Sequence, residues 1–96
     1  VILRANSFNG LISLYQLKLG NNLISIIENF AFLGLENLNM LYLERNFLSR
    51  INKEMFYGLE ILSDLILSNN MINNLGFMPF FYMKNLKYLS INNNQI

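Results

Sequence analysis

The sequence predicts an α/β solenoid, a chain that coils through equivalent units and contributes one short strand per unit to a parallel sheet. Two observations predict it. A frame Phe-x-Gly-Leu stands at Phe8, Gly10 and Leu11, again at Phe32, Gly34 and Leu35, and again at Phe56, Gly58 and Leu59, each 24 residues after the last. Three residues beyond each frame, and once more at Leu86, an apolar pattern Leu-x-x-Leu-x-Leu-x-x-Asn begins, with no insertion or deletion between copies. A fixed period of about 20–50 residues marks repeat architectures.

The elements follow in order. The first pattern is Leu14, Leu17, Leu19 and Asn22, and the second is Leu38, Leu41, Leu43 and Asn46. The third is Leu62, Leu65, Leu67 and Asn70, and the fourth is Leu86, Leu89, Ile91 and Asn94. The alternation Leu-x-Leu has the period of a strand, and the asparagine after it is a turn signal. An amphipathic helix would instead place apolar residues at i, i+3, i+4 and i+7. Two more apolar positions complete each unit: Ile24 and Ile27, Leu48 and Ile51, Ile72 and Leu75. The chain thus divides into a partial repeat 1–13, full repeats 14–37, 38–61 and 62–85, and a partial repeat 86–96. One such unit buries too little apolar surface to offset the ordering of its own backbone, so stability comes from stacking on neighbours. Both ends lack a polar cap, and further repeats are expected on both sides.

Each pattern asparagine is expected to turn inward where the chain leaves the strand, because an amide side chain both donates to and accepts from backbone groups. Phe8, Phe32, Phe56 and Phe80 are expected to stack as core residues on the far side of the coil. The fourth unit departs from the frame: Tyr82 replaces the glycine, Met83 replaces the leucine, and Pro79 precedes them. A local bulge is expected there. The departure is either drift or an exposed aromatic patch formed by Phe77, Phe81 and Tyr82.

Composition narrows the function. Hydrophobic residues make up 53% of the 96, charged residues 14%, and the net charge is +1. The seven Lys and Arg are scattered singly, so no basic stripe marks nucleic acid or anionic lipid as a partner. The longest apolar run, from Phe77 to Met83, falls far short of the ~20 residues that span a bilayer. Cysteine and histidine are absent, so neither metal nor cofactor is expected, and most nucleophilic catalysis lacks its residues. Paired carboxylates or a Ser-Lys pair are the remaining catalytic options. Glu44 and Asp64 could supply the first, but with Arg45 nearby they read better as an ion pair or solvated surface, and no enzyme is expected. Seventeen asparagines, without a single glycosylation sequon, complete the composition. Such a bias can accompany disorder, but a disordered chain has no reason to keep a strict period.

Leu-x-x-Leu-x-Leu-x-x-Asn resembles the consensus of the leucine-rich-repeat family, and the likeness covers the whole chain. A 24-residue unit with a late Phe is similar to the "typical" subfamily found in Toll and Toll-like receptors, Slit-type ligands, chaoptin-like adhesion proteins and small leucine-rich proteoglycans. The resemblance implies a right-handed coil with a parallel sheet on the concave side and an irregular or 3-10 convex side. It also implies an extracellular or cell-surface setting and a protein or peptide ligand held on the concave face.

In the strand frame the leucines point inward and the intervening residues point outward. The outward set contains the row Gln16, Met40, Asp64, Tyr88 and the row Lys18, Tyr42, Ile66, Ser90, followed by Gly20, Glu44, Ser68, Asn92 and then Asn21, Arg45, Asn69, Asn93. Gln16, Lys18, Met40, Tyr42, Glu44, Arg45, Asp64, Ile66 and Tyr88 are the candidate ligand contacts. Tyr42 and Tyr88 lead, because aromatic anchors are enriched at binding hot spots; the plainer account is that Tyr and Ile suit strands. A patch four strands wide presents roughly 300 Å², less than the ~800 Å² per partner of a standard interface. It would supply part of a site. The competing expectation is a spacer without a ligand, and association between copies through the solenoid is a further possibility.

Overall fold

The computed structural model describes all residues, Val1–Ile96. Four three-residue strands, β2 (Gln16–Lys18), β4 (Met40–Tyr42), β5 (Asp64–Ile66) and β6 (Tyr88–Ser90), form a parallel sheet in the order β2-β4-β5-β6. Its register is that of the repeat: Gln16 faces Met40, Met40 faces Asp64, and Asp64 faces Tyr88. The hydrogen-bond ladder outlasts the strands. The Leu43 N–H donates to the Ile66 carbonyl at 2.8 Å, and the Arg45 N–H donates to the Ser68 carbonyl at 3.1 Å. Leu41, Leu43, Leu65 and Leu67 are wholly buried beneath this sheet, as alternate strand positions require.

About half a unit further along, a second parallel ladder joins β1 (Ile2–Leu3) to β3 (Ile26–Ile27). An isolated bridge between Arg50 and Asn74 continues it. The remaining segments are turns, apart from one 3-10 helix, Lys53–Phe56. Asn52 caps that helix, its side chain accepting from the Met55 N–H at 3.0 Å; a short polar side chain at this position satisfies a backbone donor that the helix itself leaves unpaired.

Between the ladders lies a single core that includes Ile24, Leu48, Ile51 and Ile72. The phenylalanines stack through it. Phe8 and Phe32 are 5.9 Å apart and 8° from parallel, and Phe32 and Phe56 are 6.3 Å and 3°. Phe56 and Phe80 keep the distance, 6.3 Å, but tilt by 36°. The bulge expected of the fourth unit does not form: the Met83 N–H donates to the Phe80 carbonyl and the Leu86 N–H to that of Met83, as at Phe32–Leu38, and only the ring is tilted. Met83 occupies the leucine position and is buried, whereas Phe77 is 79% exposed.

The asparagine ladder takes the expected form. Asn46 donates to the carbonyls of Leu19 at 2.9 Å and Leu43 at 3.1 Å, and its Oδ1 accepts from the N–H groups of Asn22 and Ile24, both at 2.9 Å. Asn70 donates to Leu43 and Leu67, and Asn94 to Leu67 and Ile91. Each amide therefore ties its own unit to the preceding one. The Asn22 side chain donates only to the Gly20 carbonyl, and the residue is exposed.

Candidate functional site

The outward face of the four-stranded sheet collects the residues singled out by the repeat frame. The strand register aligns Gln16, Met40, Asp64 and Tyr88 across the sheet, and Lys18, Tyr42, Ile66 and Ser90 beside them. Gln16, Lys18, Arg45 and Tyr88 are exposed, while Met40, Tyr42, Glu44, Asp64 and Ile66 are half-buried by their cross-strand neighbours. Ser68, placed outward by its position, is buried instead.

Contacts within this face are weak and local. The Gln16 amide donates to the Met40 sulfur at 3.2 Å, and the Tyr42 hydroxyl reaches the same sulfur at 3.5 Å. The Lys18 ammonium lies 5.7 Å from the centre of the Tyr42 ring. Ser63 donates toward the Asp64 carboxylate at 2.7 Å. The chain's ion pair, Arg4 with Glu28 at 3.0 Å, lies elsewhere. Lys18, Glu44, Arg45 and Asp64 therefore make no ion pair.

Two residues carry features that sequence reasoning missed. Glu44 folds its carboxylate over Gly20, so closely that a Cβ on Gly20 would stand 2.7 Å from Oε2. Its other oxygen, Oε1, is buried and has no hydrogen-bond partner. Arg45 holds a left-handed backbone at φ +57°, where the equivalent residues are Asn21, Asn69 and Asn93, all of the type that tolerates it. The Arg45 outlier was legible in part, since the aligned units place Asn at this turn. The Gly20 contact depends on a rotamer and was not.

Glu44 and Asp64 do not make a carboxylate pair. Asp64 is aligned with Met40, and Glu44 lies four residues further on, about 13 Å along the strand direction. Gln16, Met40, Tyr42 and Ile66, by contrast, lie side by side on adjacent strands as polarizable, aromatic and apolar groups, with Tyr88 beyond Asp64 on the last strand. Such a surface can bury apolar side chains of a partner and fix them with polar contacts at its margin.

The family model for the leucine rich repeat, a module that generally mediates protein–protein interaction, matches residues 2–48 and again 36–96. A comparison with curated proteins found no match. The matched residues span the parallel sheet, the inward asparagines and the stacked phenylalanines, and the chain belongs to the leucine-rich-repeat family.

Proposed function

We propose that this chain is a recognition segment of an extracellular receptor, adhesion or matrix protein, binding a polypeptide through the concave, outward face of its parallel sheet. The observation that carries the reading is the placement of Met40 and Tyr42 on one strand, Ile66 aligned with Tyr42 on the next, and Tyr88 on the strand after that, on a face where core packing asks for none of them. Aromatic and Met side chains are enriched at the centres of interfaces, and charged groups belong at the rim. Lys18, Glu44 and Arg45, charged and without ion-pair partners, flank that group, and Asp64 lies within it between Met40 and Tyr88. Similarity to the typical subfamily supports the extracellular setting.

Photo-crosslinking tests the reading. A benzoylphenylalanine at position 42 or 88 of the intact protein, displayed on expressing cells, is expected to yield an adduct that the same label at Ser25 does not. Tyr42→Ala and Tyr88→Ala are expected to weaken capture of the crosslinked partner about tenfold or more, as hot-spot truncations do. If a folded protein gives no position-dependent adduct, or if both variants capture the crosslinked partner as before, the concave face is inert. The spacer role then replaces recognition.

A further inference from the structure

The glycine of the Phe-x-Gly-Leu frame does more than turn the chain. Gly34 and Gly58 have φ of +101° and +99°, and they floor a cleft of about 480 Å³ between the second and third units. A Cβ on Gly58 would meet Leu33 Cδ1 at 3.2 Å, and one on Gly34 would meet the Asn9 backbone at 3.2 Å. Any side chain at either position would therefore narrow the cleft. In the fourth unit that position carries Tyr82, whose ring packs edge-on against Tyr57 at 4.9 Å. The open glycine row ends there.

Leu33, Ile61 and the ring of Tyr57, the last two well exposed, make the apolar part of the lining, and Asn9 and the two glutamates make a polar part of similar extent. The rim is acidic. Glu36 and Glu60 both line the opening, both are exposed, and neither has an ion-pair partner. No lysine or arginine lines the cleft. Lys84 follows Glu60 by one repeat but makes no ion pair with it. The cleft belongs to the turn-rich flank before the strands and shares no residue with the concave face.

We propose that this cleft seats an arginine side chain of a polypeptide partner, independently of the concave face. The argument is charge complementarity on a groove that is half apolar and carries acidic groups alone among its charges. An arginine has an aliphatic stem for Leu33 and Ile61 and a planar head that stacks on an aromatic ring. Its five donors serve two carboxylates at once, as a compact ammonium does less well. The two glutamates stand one repeat apart, in the same two units whose stacked rings, Phe32 and Phe56, are 6.3 Å apart. A guanidinium spans that separation.

The probe is N-acetyl-arginine methylamide, titrated at low salt into the intact, isotope-labelled protein and followed by amide and aromatic NMR. Saturable shifts are expected at Gly34, Gly58 and Tyr57. The citrulline analogue, with the same stem and no charge, is expected to leave them unmoved. Glu36→Gln and Glu60→Gln each weaken binding about threefold to fivefold, and together about tenfold, the range of solvent-accessible ion pairs. Both replacements lie on the surface, and an unchanged spectrum elsewhere verifies the fold. Equal shifts with citrulline would overturn the proposal, as would insensitivity to the double replacement. Shifts confined to Glu44 and Asp64 would overturn it too, while leaving the concave-face reading intact.

Discussion

Replacing Asn46 by alanine removes one side chain that serves backbone groups of two units at once. The Ile24 N–H loses its only acceptor; Ile24 is 1% exposed, so water does not replace it. An unsatisfied buried donor costs about 1–3 kcal/mol. The Leu43 carbonyl keeps a partner, because Asn70 also donates to it. The Asn22 N–H and the Leu19 carbonyl lie nearer the surface and lose net bonds of about 0.5–1.5 kcal/mol each. The total is about 2–6 kcal/mol. Asn22→Ala removes only an exposed contact to Gly20 and is expected to cost under about 1 kcal/mol. Urea unfolding followed by circular dichroism and tyrosine fluorescence reads both, with an unchanged m showing that only stability has moved. Asn46→Asp is the sharper control. It keeps the acceptor but turns a carboxylate oxygen toward the Leu19 and Leu43 carbonyls, so it should be no better than alanine. An Asn46→Ala protein within about 1 kcal/mol of the parent, or equal to Asn22→Ala, would refute the ladder as a determinant of stability.

Three further outcomes are expected. Phe56→Ala, at a wholly buried ring between two others, should cost about 3–5 kcal/mol, and Phe8→Ala, with one ring neighbour and partial exposure, clearly less; the same urea assay compares them. Arg45→Asn should raise stability by about 0.5–1 kcal/mol, because asparagine accepts the left-handed backbone that arginine resists; a loss of stability would mean that the arginine side chain is itself engaged. The Glu28 carboxyl is held below the usual glutamate range, first by the Ala5 N–H that donates to it and then by Arg4. Its pKa is depressed on folding, so the stabilisation is present above the unfolded value of about 4.3 and is lost as pH falls through the lower folded one. The Ala5 amide shift should titrate in that acidic window, and Glu28→Gln should abolish the transition.

Most of the fold was legible because the same residue type recurs at the same distance. Gln16 aligns with Met40, and Met40 with Asp64, for no reason other than their spacing, and the asparagine ladder follows from an amide at every strand exit. What escaped notice lacks a repeated signal. The pairing of Ile2–Leu3 with Ile26–Ile27 is too short to show alternation. The 3-10 helix arises in one unit alone, where Asn52 stands at a position held elsewhere by Arg4, Glu28 and Gly76. Its cap was readable, since a short polar side chain there is a helix-start signal. At the candidate surface, position identified which side chains face outward but not how they settle. Ser68 is buried, and Glu44 fills the gap beside Gly20, because each depends on neighbours in three dimensions.

The one-to-one alignment of Gln16, Met40, Asp64 and Tyr88 also constrains the gene. Loss or gain of a single codon within a strand would send inward-pointing leucines to solvent, since side chains alternate between faces. Duplication of a whole unit of 24 codons would instead hand the new copy a matching asparagine, phenylalanine and strand on each side. Such an array lengthens by unequal crossing-over in whole units far more readily than by small insertions, and point changes on the outward face can then accumulate without disturbing what lies beneath.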